Sequence, residues 1–359
     1  MASDAARINL FLLPEKQGGA LPVAANDYSL AYGPDILDED LKGLIDKRDQ
    51  LEKSLTDDAD RPTVAELKAF GVVLGKTLFS GSVNELFYAA SRRHIQITLC
   101  TSDTRLKQVP WEYIVWPDVN EGPHARRTFA RSVPVSNGEE RKAKSISNSL
   151  IAVLVIGADV LGRERIPWNE TKENLERIIG ARMQGLSTAR ITMELVEGAT
   201  RKTVRDALEQ KPYDIVHFIG HGRPDGIFLR GEGQQRGVVL PTDAFSKMIS
   251  DAEPALVILS ACDTALIKDV QPLGTIAETL VRSGVPAVVA NQLPISVSSI
   301  ADFTGALYRS LLTDGNIDVA VNKGRIALVK EMEGLRSAPI EWGIPVLYRR
   351  PGCSQLFTP

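Results

Sequence analysis

From Leu150 onward the apolar residues fall into short, nearly unbroken runs separated by stretches with helical spacing. "LIAVLVIGA" is followed by the helical pattern "NETKENLERIIGARMQ", then a strand pattern "ITMELVEG" and a helix "TRKTVRDALEQK". Next come a strand "YDIVHFIGHG", a glycine-rich hairpin around "GEGQQRG", the helix "TDAFSKMIS" and the strand "ALVILSAC". The helix "TIAETLVRSG", the strand "AVVANQL", two further helices and a last strand "IPVLYR" close the series. Apolar runs of this kind mark strands covered on both faces, and their alternation with helices predicts an α/β fold with a mostly parallel sheet flanked by helices.

The first half reads differently. It offers strands at "INLFLL", "DYSLAYG" and "HIQITLC", and helices at "DEDLKGLIDKRDQLEKSL", "TVAELKAFGVVLGKTLF" and "SVNELFYAASRR". In the second of these helices Val64, Leu67, Phe70 and Leu74 recur at helical spacing, which predicts one buried face. The mixed charges of the first helix predict a solvated face. Between the halves "GEERKAKSISN" has charge but no periodicity, as a linker does. The expected organisation is a smaller α+β module over 1–140 and an α/β domain over 141–359.

Composition narrows the function classes. An apolar fraction of 43% and a charged fraction of 24% in 359 residues describe a soluble protein with ample core. The net charge of -3 gives no electrostatic reason to expect nucleic acid. No apolar run has the length of a membrane span or the form of a signal segment, so the expectation is a cytoplasmic protein that does not engage a membrane. Three cysteines, Cys100, Cys262 and Cys353, contain no CxxC pair and suit a reducing compartment.

Two predicted strands end on reactive side chains. "IVHFIGHG" stops at His221 and Gly222, and "LVILSAC" stops at Cys262. In parallel α/β sheets the reactive crevice lies beyond the carboxyl ends of the strands, so neighbouring strands would deliver an imidazole and a thiol to one rim. A buried cysteine at a strand end is also simply a small apolar residue, which is the alternative reading. Paired with a histidine, however, a thiol gains the base that makes thiolate available for attack on a carbonyl. Gly222 has no side chain to obstruct its N–H, and the amides of Gly222 and Cys262 are the expected oxyanion hole.

"HFIGHG" with "LSACDTA", which set His221 and Cys262 41 positions apart, then "GTIAETLVRSGVPAVVA" and, upstream, "VPWEYIVWP", resemble the CHAT branch of caspase-like cysteine peptidases, relatives of separase and the caspases. The resemblance covers roughly residues 90 to 350. It implies a caspase-like sheet and a His221–Cys262 dyad that cleaves a protein substrate through a thioester acyl-enzyme. It also implies control by a protein activator or sensor encoded nearby, in bacterial defence or regulated proteolysis. No metal or other cofactor is implied. The TPR repeats of many relatives are absent, which leaves sensing to the N-terminal module or a separate protein. After the strand "AVVANQL" relatives frequently carry a tryptophan and an acid where this chain has Leu293 and Val297. Gln292, Leu293, Ile295 and Val297 are therefore the expected substrate-binding residues, and an uncharged residue is expected before the scissile bond. Asp225, Asp263 and Asp302 are the acids that neighbouring loops offer. The rival reading is a catalytically silent scaffold of the same fold.

The remaining chemistry-bearing residues have plainer readings. His217 is expected to be a hydrogen-bonded core histidine, with orientation of the base as the alternative. His94 and His124 lack partners at ligand spacing, and Cys100 and Cys353 read as packing and tail residues. Trp111 and Glu112 read as a buried aromatic and a paired carboxylate joining two modules, and Thr264 as a cap for the turn after Asp263. "GEGQQRG" lacks the Gly-Lys-Ser/Thr ending of a phosphate loop.

Overall fold

Strands form where the apolar runs predict them, together with several that the runs do not announce. The computed structural model describes residues 5–14, 20–25, 29–56, 62–120, 122–133, 143–145, 150–160, 172–173, 175–177, 190–223, 225–233, 236–261, 274–293, 295–332 and 341–358. The chain divides into one unit of residues 1–132 with 328–344 and a second of 133–327 with 345–359. A single cut near residue 140 treats the halves as contiguous; the units interleave instead, because 328–344 belongs with the first.

In the first unit β1 (Ala5–Pro14), β2 (Ala20–Ala25), β3 (Leu30–Tyr32), β4 (His94–Thr101) and β5 (Arg127–Ser132) lie in the order β3-β2-β1-β4-β5. The β1–β4 and β4–β5 pairs are parallel, and β1–β2 and β2–β3 are antiparallel. Helix Asp38–Thr56 buries Leu41, Leu44 and Leu51 and turns its charges to solvent, as its pattern predicts. Helix Val64–Leu78 starts at a capping box: Thr63 Oγ1 accepts from the Glu66 N–H, and Glu66 Oε2 accepts from the Thr63 N–H. Leu67, Phe70 and Leu74 are buried on one face, whereas Val64 is 62% exposed because the first helical residue precedes the packed turns. Gly71 and Gly75 on this helix permit close approach of the segment carrying "WEYIV". A Cβ at Gly71 would collide with the Tyr113 carbonyl, and the Val115 N–H donates to the Gly71 carbonyl at 3.0 Å.

The Trp111–Glu112 reading holds in part. Trp111 is fully buried and donates from Nε1 to the Leu106 carbonyl at 2.8 Å. Glu112 accepts a two-pronged contact from Arg131 of β5, at 2.8 Å from Nε and 2.6 Å from Nη2. All of these residues belong to the first unit, so the pair joins a strand to the short 3-10 helix Trp111–Tyr113 of the same unit rather than two modules.

In the second unit β6 (Lys144–Ser145) pairs with a short strand near the end of the chain. The main sheet is built from β7 (Leu150–Gly157), β8 (Arg190–Glu197), β9 (Ile215–Gly220), and, after the small sheet of β10 (Gly222–Arg223), β11 (Gly226–Arg230) and β12 (Gly237–Pro241), from β13 (Leu256–Ala261), β14 (Ala287–Asn291) and β15 (Pro345–Arg349). Its order is β15-β14-β13-β9-β7-β8, parallel throughout except for β15, which runs antiparallel to β14. The terminal partner of β6 is β16 (Phe357–Thr358).

Helices cover this sheet on both faces. Val216, Phe218, Val257 and Leu259 form a core with helices Arg201–Gln210, Thr242–Asp251 and Gly274–Arg282. The opposite face of β9 meets helix Val297–Asp314 through Tyr308. The mostly parallel α/β architecture expected from the runs is therefore present, and β11 and β12, on either side of "GEGQQRG", pair antiparallel as the predicted hairpin requires, while Gln234 and Gln235 lie outside the described residues. Within the predicted helix "NETKENLERIIGARMQ", residues 172–173 and 175–177 are helical; the rest lies outside the described residues.

Candidate active site

The site begins with the pairing of β9 and β13. These strands are parallel and in register from Ile215↔Leu256 to Gly220↔Ala261. His221 follows the last residue of one strand and Cys262 follows the last residue of the other. β14 lies beside β13, with Ala290 opposite Leu259, and its next residues are Asn291 and Gln292. Cys262, Asp263 and Thr264 lie outside the described residues.

His221 is buried, at 2% exposure, and its backbone is held by the small sheet: the Phe228 N–H donates to the His221 carbonyl at 2.9 Å. That bond fixes the kind of pair that Gly222 makes with Ile227. In an antiparallel ladder a bond from residue j+1 to the carbonyl of residue i−1 marks the i/j pair as non-hydrogen-bonded. The Gly222 N–H is thus left outside the β10–β11 ladder, as an oxyanion donor requires. The second expected donor, the Cys262 amide, lies outside the described residues.

His217 sits on β9 four residues, two repeats of the strand pleat, before His221 and has no exposed surface. Its Nε2 is 2.9 Å from Ser260 Oγ on β13, and its Nδ1 is 3.4 Å from the Tyr308 hydroxyl. Burial pushes its pKa down to about 3, so the ring is neutral at physiological pH. Burial also holds the Tyr308 phenol protonated by raising its pKa. The reading of His217 as a hydrogen-bonded core histidine stands.

The expected substrate-binding residues are placed unevenly. Gln292, Leu293 and Ile295 are buried, at 8%, 5% and 2% exposure, and the side chain of Val297 lies outside the described residues. Asp225 is exposed and forms a two-pronged ion pair with Arg223, which holds its carboxyl below the usual range. Asp302 lies within helix Val297–Asp314 and not on a loop, because that helix starts at Val297 on the Ser296 cap. His94 begins β4, and His124 accepts from the Arg126 N–H at 3.3 Å. Cys353 is buried and Cys100 is partly so. Sequence reasoning did not single out Ser260 or Tyr308 as partners of His217; a serine two positions before Cys262, on a strand neighbouring a histidine strand, was the available signal.

Residues 68–350 match the CHAT domain family. This chain belongs to that family. The match starts inside the first unit, so CHAT membership takes in the "VPWEYIVWP" segment as well as the strands that end at Gly220 and Ala261. No curated protein matches the chain. Among solved structures it is similar to the Saccharomyces cerevisiae separase–securin complex, at 12% identity and a TM-score of 0.49, covering 97% of this chain and 30% of that one. A second crystal structure of that complex matches at 12% identity and a TM-score of 0.45, over 96% of this chain and 30% of that one. A pro-sf-caspase-1 structure matches at 11% identity and a TM-score of 0.36, over 60% of this chain and 96% of that one. The chain thus spans less than a third of the separase chains it matches.

Proposed function

We propose that this CHAT domain chain is a caspase-like cysteine endopeptidase that cleaves a protein substrate through a His221–Cys262 dyad. The observation that carries the reading is the register of β9 and β13, which end opposite each other at Gly220 and Ala261, immediately before the two residues. His221 takes the thiol proton, the Cys262 thiolate attacks the scissile carbonyl, and the oxyanion is held by the Gly222 and Cys262 amides. His221 then protonates the leaving amine, and water hydrolyses the thioester. That the Gly222 N–H is not spent in the β10–β11 ladder supports this assignment.

The N-terminal module is the regulatory part in this reading, and a protein activator or sensor encoded nearby switches the enzyme on in bacterial defence or regulated proteolysis, within the cytoplasm. Among the described residues no helix is long and apolar enough to cross a membrane. The pocket beside β14 takes an uncharged side chain, because Gln292, Leu293 and Ile295 bring no acid and Asp225 is already paired with Arg223.

Cys262→Ala and His221→Ala should each abolish cleavage of the activated enzyme's substrate, while stability stays within about 2 kcal/mol of wild type. Turnover retained by Cys262→Ala overturns the dyad. A peptide library profiled by mass spectrometry should show no preference for arginine or lysine before the cut, and Val297→Asp should introduce one.

A further inference from the structure

The neutral pair of His217 and Ser260 has no part in the chemistry above, and it lies on a face that apolar residues would fill equally well. On that face β9 also presents Ile215 and Ile219, and β13 presents Leu256 and Ile258, all buried. Replacing both members of a buried hydrogen-bonded pair by apolar groups is close to neutral for stability, so packing alone does not require them. What the pair adds is direction. Apolar contacts are indifferent to small slides of one strand against another, whereas a hydrogen bond weakens steeply with distance and angle.

The direction of this bond is specific. The register partner of His217 is Ile258, yet its Nε2 reaches Ser260, two residues nearer the carboxyl rim. The bond therefore ties the last residues of β13 to β9 four positions before His221 and two before Cys262. The Tyr308 hydroxyl at Nδ1 holds the other side of the ring, and in either tautomer one ring nitrogen donates, the other accepts, and both hydroxyls can answer.

We propose that His217 and Ser260 are positioning residues: their hydrogen bond sets the relative placement of the two strand ends and so the fit of the His221 imidazole to the Cys262 thiol. The inference rests on the dyad reading. A loss of alignment on the scale of an ångström is enough to cost a dyad much of its proton transfer. Because the ring stays neutral, it serves without competing with His221 for a proton.

The test needs no substrate. The probe is iodoacetamide at pH 6, and the readout is the alkylation rate of the peptide containing Cys262, resolved from Cys100 and Cys353 by mass spectrometry. His217→Leu, Ser260→Ala and the double variant should each alkylate about tenfold more slowly than wild type, the rate following the thiolate fraction. The double variant should be no slower than either single one and should melt close to wild type. His217→Gln, which keeps a polar nitrogen near the Nε2 position, should recover most of the rate. Should His217→Leu fail to fold, Ser260→Ala, a much smaller truncation, carries the test. Wild-type alkylation rates in folded Ser260→Ala, with a slow His221→Ala beside it, overturn the positioning role and leave the dyad standing. A wild-type rate in His221→Ala overturns the dyad itself.

Discussion

Strand β5 and the β9–β13 pair both bury polar side chains, but with opposite chemistry. The division is local rather than one between whole units, since β15 of the second unit also buries an ion pair, Arg349 with Asp318. β5 buries two arginines with their counter-ions: Arg131 with Glu112, and Arg127 with Asp118, and Arg127 also donates to the Arg93 and Ser91 carbonyls at 2.9 and 2.6 Å. β9 and β13 instead bury a neutral histidine and a serine at the end of the sheet where the candidate dyad lies. Charges taken out of water are held only by full pairing, and removing one partner strands the other. A neutral pair costs far less to bury and far less to remove. The first arrangement locks architecture, whereas the second orients a site at little risk to the fold.

The largest effect is expected at Glu112. Glu112→Ala leaves Arg131 buried without that carboxylate, the carbonyls of Lys107 and Val109 still accepting from it, and should cost about 3–5 kcal/mol in urea unfolding. A loss below about 1 kcal/mol would show that the two regions do not differ as described.

Acid should sharpen the contrast in the second unit. Burial holds the folded His217 near a pKa of about 3, against 6.5 without burial, so between those values the unfolded chain binds the extra proton. The stability that the neutral ring contributes is complete above pH 6.5 and declines as pH falls through that window. The loss should reach roughly 3–4 kcal/mol near pH 3 and should shrink in His217→Leu when the two are melted side by side from pH 7 to 3. Parallel curves for the two proteins would contradict the buried neutral histidine.

Local interactions, by contrast, should not distinguish the regions. Thr63 caps helix Val64–Leu78 in the first unit and Thr200 caps helix Arg201–Gln210 in the second, each through a reciprocal capping box. Thr63→Ala and Thr200→Ala should each cost about 1 kcal/mol by thermal or urea unfolding. The smallest effect belongs to Tyr308→Phe. Its contact with His217 Nδ1 is long, 3.4 Å, so its loss should cost about 0.5–1 kcal/mol.

The strands of the second unit were legible because each is a run of apolar residues bounded by a helix pattern. β2 was not, since "ALPVAA" contains Pro22, which lacks an N–H and argues against a strand. It pairs with β1 and β3 nonetheless, its Pro22 carbonyl accepting from the Gly33 N–H at 2.9 Å. β5 was hidden by its arginines. In "RTFARS" two charges in six residues read as surface, and their burial depends on partners outside the strand, Asp118 and Glu112 among them. Within the site, His221 and Gly222 could be placed at a strand end by their neighbours alone. That the Gly222 N–H stands outside the β10–β11 ladder required the bond from Phe228, which belongs to a later strand.

By itself, the sequence determined the α/β alternation, the helix caps, the family and the two reactive residues that follow strand ends, because each is written in local spacing or in a short motif. Only the tertiary structure decided which strands lie side by side, that Gly220 stands opposite Ala261, that His217 reaches forward to Ser260, and that the β5 arginines are core residues. Those facts depend on pairing between segments far apart in the chain, and local periodicity, which reports the face of a strand, carries no record of its neighbour.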